Sequence, residues 1–119
     1  MANKHFILHQ NKWYWGRKET IVLNGGVAIC DVSVYDDDLS VAYLSDVKVL
    51  PEYRHRGWGN ELLQWAEIRA IAMGASELYL EADSEYFAMA WYRRHGFKAL
   101  GRKRKGIIKM CKKIGYGCK

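Results

Sequence analysis

The chain has a single proline, Pro51, in 119 residues, only three cysteines, and no Asp or Glu beyond Glu85. Each shortage excludes something. No repeat, low-complexity segment or proline-rich linker divides the chain, and its length suits one core, so a single domain over 1–119 is expected. Cys30, Cys111 and Cys118 are odd in number and lack metal-ligand spacing, so they read as reduced thiols and no metal is expected. No apolar run is long enough to span a membrane, and the opening MANKHFILHQNKWYWGRKE lacks the apolar core of a signal peptide. The expected location is cytoplasmic, with no membrane partner. What is present is a globular composition, 50% hydrophobic and 13% aromatic. The net charge of +6 is uneven: nine Lys or Arg and no acid lie between Lys98 and Lys119. Such an end suits nucleic acid, an acidic partner or a phosphorylated cofactor. On charge alone the plainer reading, a solvated strand face with a loose tail, ranks first.

ETIVLNGG reads as a strand halted by the turn Asn24-Gly25-Gly26. VAICDVSVY is a second strand, and Asp36 to Asp38 form the next turn. LSVAYLSDVKVL is a third strand, ended by Pro51, and the three predict an antiparallel meander. Asn60 to Met73 predicts a helix, because Leu62, Leu63, Ala66, Ala70 and Met73 recur at three- and four-residue steps. Gly74 is its stop. ELYLEA is the next strand. A second helix is expected from Ser84, its cap, to His95, with Gly96 ending it. KALGRKRKGIIKMCKKI reads as a last hairpin. A right-handed crossover makes the strands flanking the first helix parallel. The expected fold class is α/β: a mixed, mostly antiparallel twisted sheet with a central parallel pair and a helix on each face.

The chemistry-bearing stretch is VKVLPEYRHRGWGNELLQWAE, Val47 to Glu67. It places Arg54, Gly57 and Gly59 between a strand end and a helix start. A helix N-terminus offers backbone N–H groups and partial positive charge to phosphate. Glycines let a diphosphate reach that backbone and permit positive φ. Arg54 and Arg56 add charged donors. The P-loop fails for want of Lys after Gly59, and the dinucleotide fingerprint fails because position 62 is Leu. The loop reads as a diphosphate cradle of another kind.

This segment resembles the Gcn5-related N-acetyltransferase (GNAT) family, whose acetyl-CoA loop reads Arg/Gln-x-x-Gly-x-Gly/Ala. DVKVLPEY resembles that family's splayed strand. AMAWYRRHGF resembles its Ala-x-x-x-Tyr-x-x-x-Gly-Phe signature, at Ala88, Tyr92, Gly96 and Phe97. The resemblance covers Leu44 to Phe97 and implies the GNAT-like acyl-CoA N-acyltransferase fold, with an abbreviated N-terminal region. It implies acetyl-CoA as co-substrate and a primary amine as acceptor.

Residue by residue, the resemblance implies that Val47 and Val49 bind the pantetheine arm through their backbone. The backbone from His55 through Arg56, Gly57, Trp58 and Gly59 to Asn60 takes the pyrophosphate, with Arg54 beside it. Tyr92 matches the family's tyrosine acid. For the base, Glu81 is the first choice and Asp46, on the splayed strand, the second. A charged group within a strand expected to be covered needs a reason. Where the family often has Asn seven residues before the tyrosine, this chain has Glu85. Nothing before Thr20 looks long enough for the two helices the family places between its first strands. Trp13, Tyr14 and Trp15 could wall the acceptor site, but core or hairpin packing is the expected role. Two other readings compete: a basic nucleic-acid-binding module using GRKRKGIIKMCKK, which leaves both glycine motifs unexplained, and an acyl-CoA binder without turnover. Specific nucleic-acid binding is therefore not expected; a homodimer stays open.

Overall fold

The structure, a computed structural model, describes residues 6–83, 88–104 and 106–115. Its strands are β1 (Phe6–Trp13), β2 (Gly16–Leu23), β3 (Ala28–Tyr35), β4 (Asp38–Val49), β5 (Glu77–Asp83), β6 (Lys98–Arg104) and β7 (Ile107–Lys113). Helix α1 (Trp58–Ala72) joins β4 to β5, and α2 (Ala88–Arg94) lies between β5 and β6. The strands form one sheet in the order β1-β2-β3-β4-β5-β7-β6. Every neighbouring pair is antiparallel except β4 with β5. The mixed sheet, its central parallel pair and the β2-β3-β4 meander are those expected from the sequence.

Period-two alternation explains the sheet. Ile21, Leu23, Ala28, Cys30, Val32, Val34, Ala42, Leu44, Leu78 and Leu80 are buried on one face. The α1 stripe of Leu62, Leu63, Ala66 and Ala70 covers them. Each fully buried leucine contributes about 1.5–3 kcal/mol by leaving water. The helix stops where expected. Gly74 has φ +101°, and Ala75 N–H bonds the Ala70 carbonyl at 3.0 Å, a reversal that costs least at glycine.

Two features of the fold differ from expectation. The segment before Thr20 is a strand hairpin: β1 runs antiparallel to the whole of β2, with Tyr14 and Trp15 at the turn. Its signal is faint because most of β1 is exposed, so FILHQNKW shows no buried alternation. Trp13 and Trp15 stack at 5.1 Å between centroids, which is the hairpin-packing role. The second difference is that both helices lie on one face of the sheet, instead of one on each. Trp91 of α2 abuts Gly59 of α1. Lys112 of β7 donates to Glu67 of α1 and also lies over the Phe97 ring. The physical cause is that Tyr92 and Phe97 join the same buried cluster that α1 covers. The expected cap Ser84 and the departure at Glu85 lie outside the described residues, as does Cys118; Cys30 and Cys111 are free thiols.

A buried ion pair ties the hairpin to α1. Glu19, 4% exposed, receives bonds from Arg69 Nε at 2.7 Å, Arg69 Nη2 at 2.9 Å and Gln10 Nε2 at 2.8 Å. Burial pushes the Glu19 carboxyl up, but the hydrogen bonds from Arg69 and Gln10 outweigh it and the net shift is downward.

Candidate active site

Strands β4 and β5 pair over only three positions: Val41 with Glu77, Ala42 with Leu78, and Tyr43 with Tyr79. Beyond Tyr43 and Tyr79, β4 stays with β3 while β5 follows β7, so a gap opens between them. A bulge in β4 accompanies the opening. Asp31 faces Ser45 but Ile29 faces Lys48, so β4 spends an extra residue there, and Asp46 adopts φ +53°. Past the bulge, Val47 and Val49 are half-buried against the core. Leu50 N–H bonds the Val27 carbonyl at 2.9 Å, and Pro51, with no N–H to pair, starts the short turn Pro51–Tyr53.

The wide end of the gap meets the start of α1. His55 has φ +64° and Gly57, the N-cap, has φ +91°. The first helical bond runs from Glu61 N–H to the Gly57 carbonyl at 3.1 Å, so the N–H groups of the preceding turn point toward the loop. A Cβ at Gly57 would meet nothing within 4 Å, so this glycine is required for its backbone angle, not for space. Gly59 has a different reason: a Cβ there would come within 2.8 Å of Trp91 Cζ2. Sequence reasoning assigned Gly59 to phosphate access and missed its packing role, which needs the tertiary position of Trp91. Arg54 and Arg56 are exposed. Arg54 Nε donates to the Val49 carbonyl at 3.0 Å, which fastens the loop to the strand end, and the Arg56 guanidinium lies 5.8 Å from the Tyr53 ring centroid.

Tyr92 is 8% exposed, between Trp91 and Phe97, with ring centroids at 4.9 Å and 5.6 Å. Burial, with a smaller contribution from Cys30, pushes its phenol up to about 12. It therefore stays protonated across the neutral range, as a proton donor must. Cys30 is pushed up to about 12 by burial and then by Asp31, so it is an inert thiol rather than a nucleophile. Glu81 is exposed on β5, directly across from Lys109 of β7. Asp46 is also exposed, which corrects the expectation of a covered charge: the bulge turns that residue outward. The structure thus gathers Val47, Val49 and residues 54–60 at one end of the gap, while Tyr92 lies in the buried core between Trp91 and Phe97. Glu81 and Asp46 lie on the two rims of the gap.

An open hollow of about 460 Å³ adjoins the loop, lined by Gly57, Asn60, Glu61, Gln64, Trp65 and Ile68. It flanks the N-terminus of α1 and not the gap itself. Among the described residues no group of three or more His, Cys, Asp or Glu could hold a metal ion, and no helix is long and apolar enough to cross a membrane. The basic run through Lys105 falls in part outside the described residues.

A central parallel pair that parts in front of a positive-φ loop and a helix start is the architecture of the acyl-CoA N-acyltransferase fold. Comparison with known proteins agrees: the family described as "Acetyltransferase (GNAT) domain" matches residues 4–99. The chain belongs to this family. It is 34% identical over 86 residues to an amino-acid acetyltransferase of Azotobacter vinelandii, a match covering 71% of this chain. The matched part is 19% of that relative's length, so the chain spans about a fifth of it. Among solved structures, a GNAT family acetyltransferase from Elizabethkingia anophelis with acetyl-CoA bound superimposes with TM-score 0.70 at 12% identity, covering 94% of this chain and all of that one. The PaiA N-acetyltransferase of Thermoplasma acidophilum, in complex with coenzyme A, gives TM-score 0.67 at 21% identity, covering 81% of this chain and 59% of that one.

Proposed function

We propose that the chain is an acetyl-CoA-dependent N-acetyltransferase that moves an acetyl group to a primary amine by direct attack in a ternary complex. The observation that carries this reading is the gap that opens between β4 and β5 beside the positive-φ loop at the start of α1. The fold neighbours with acetyl-CoA or coenzyme A bound support it.

The residues present fit this co-substrate. Gly57 leaves open space at the start of α1, where backbone N–H groups of residues 55–60 receive the pyrophosphate, and Arg54 and Arg56 add positive charge. The edge of β4 at Val47 and Val49 takes the pantetheine amides. Acetyl-CoA supplies the acetyl group already activated as a thioester. The acceptor nitrogen forms the new C–N bond as the C–S bond breaks. Tyr92, held in its protonated form, donates a hydrogen bond to the developing thiolate; as the sulfur (thiol pKa about 8.5) takes that proton, the second proton shed by the acylated nitrogen restores the phenol. The acceptor arrives as an ammonium and must lose a proton, and Glu81 or Asp46, each at a rim of the gap, takes it directly or through water. The test is a thermal-shift titration with acetyl-CoA beside thiol-release kinetics on a panel of amines. A stabilised protein that releases free thiol only with an amine present is the expected result. A protein that shows no stabilisation and no thiol release refutes the reading.

A further inference from the structure

Tyr92, the proton donor of the reading above, sits on a helix with little seating of its own. Helix α2 has seven residues, and of these Tyr92 alone is buried. Among the described residues no hydrogen bond holds its hydroxyl. The place of the phenol is therefore set by what grips the Tyr92 ring and backbone.

Both grips lead to the turn that follows the helix. The Tyr92 carbonyl accepts from His95 N–H at 3.0 Å and from Phe97 N–H at 3.1 Å. The Phe97 ring meets the Tyr92 ring edge-on, with centroids 5.6 Å apart. A shift of the turn at Gly96 thus reaches Tyr92 through its backbone and its ring at once.

One side chain from a distant strand closes on that turn. Lys112 of β7 has its Nζ 5.9 Å from the Phe97 ring centroid. Its stem runs beside Gly96: a Cβ there would lie 3.1 Å from Lys112 Cε and 3.5 Å from Cδ. Gly96 is thus required for space as well as for its φ of +94°. The ammonium ends on the Glu67 carboxylate of α1, and the two side chains are 24% and 26% exposed. Lys112 therefore joins β7, the turn after α2 and the middle of α1. Helix α2 is held against α1 at two places, by Trp91 at Gly59 and by this pair at Glu67, about 12 Å further along α1. An ion pair this near the surface adds little to stability, so its consequence lies in where it holds the turn.

We propose that Glu67 and Lys112 are positioning residues for the acetyl transfer: their ion pair locks the Gly96-Phe97 turn and so sets where the Tyr92 phenol meets the departing sulfur. The kinetic effect rests on the acetyltransferase reading, whereas the grip on Tyr92 rests on geometry alone. Neither residue touches substrate, and both act through Tyr92. The demand for precision is general, since catalytic groups are held to within about 0.5 Å and a misplacement of about 1 Å costs about 100-fold in rate.

The test is a double-mutant cycle on the full chain, with Lys112→Met and Tyr92→Phe made singly and together. Methionine keeps an unbranched apolar stem beside Gly96 and loses the cation. In the parent, Lys112→Met should lower kcat about 10-fold while KM for acetyl-CoA holds. In the Tyr92→Phe background it should change kcat by less than about 2-fold, because the group it positions is gone. Lys112→Arg, which keeps the charge, should retain most of the parent kcat. Glu67→Gln should show the same background dependence and carries the cycle if Lys112→Met fails to fold. An unchanged kcat in Lys112→Met overturns the proposal, as does an equal loss in both backgrounds or a loss confined to KM for acetyl-CoA. Ring signals of 13C-labelled tyrosine and phenylalanine give a readout without turnover. Lys112→Met should shift those of Tyr92 and Phe97 and leave those of the exposed Tyr35 and Tyr43 in place. Tyr92 and Phe97 signals that do not move overturn the proposal. A protein that shows those shifts but transfers acetyl to no amine refutes the acetyltransferase reading and leaves the grip on Tyr92 standing.

Discussion

Gly59 sits directly under the indole of Trp91: a Cβ at position 59 would lie 2.8 Å from Cζ2 and 3.4 Å from Cη2. The contact seats α2, and with it Tyr92, against the first turn of α1. Ala at an ordinary helix position is favoured over Gly by about 1 kcal/mol. Here overpacking should reverse that sign, and Gly59→Ala should destabilise by about 1–3 kcal/mol. Urea unfolding checks it. Adding Trp91→Leu should restore part of the loss, and additive losses in the double variant would show that the two residues are not coupled.

Gly57 makes the opposite case, since open space surrounds it and only φ +91° demands glycine. Gly57→Ala should cost roughly 1–2 kcal/mol of stability, the strain of a left-handed residue, while keeping acetyl-CoA binding. Gly57→Glu should fold as well as Gly57→Ala but lose acetyl-CoA, because it places an anion at the phosphate position. Calorimetric titration of both variants separates the two effects. Equal affinity in a folded Gly57→Glu protein would remove the loop from the binding site.

Tyr92→Phe should keep the core and the affinity for acetyl-CoA while lowering kcat, by about 10²–10⁴-fold at most. Because burial holds the Tyr92 phenol at about 12, its titration should leave no alkaline limb in the rate profile below pH 10. A wild-type rate that falls between pH 8 and 9 and is levelled by Tyr92→Phe would contradict that placement.

The Glu19–Arg69 pair predicts the acid limb of stability. Its hydrogen bonds hold the Glu19 carboxyl below the model-peptide value of 4.5 in the folded chain. The resulting stabilisation is fully present above 4.5 and is lost as pH falls through the lower folded-state value. Glu19→Gln should lower stability at pH 7 by about 1–3 kcal/mol, since Arg69 loses a charged partner beside the hairpin. Denaturation midpoints of the variant should also change less between pH 6 and pH 3 than those of the parent.

Much of the site was legible in the sequence because its signals are local. Pro51, the glycine at position 57 and the apolar stripe of α1 each act within a few residues of chain, through a fixed φ, a positive φ and a 3.6-residue period. The meander and the crossover followed from alternation and handedness. Strand β1 was not legible: it is an edge strand with one covered neighbour and an exposed face, so its residues lack the alternation that buried strands show.

The sequence by itself thus determined the order of elements, the loop at the start of α1 and the family these residues match, since each depends on neighbours along the chain. Only the tertiary structure decided that both helices share one face, that Gly59 answers to Trp91, and that Asp46 turns outward at a bulge. It alone brought Trp15, Tyr35, Tyr43 and Tyr79 together into a ribbon. These residues come from four separate stretches. Their proximity is set by strand register, which depends on hydrogen bonds between distant segments and leaves no local mark in the sequence.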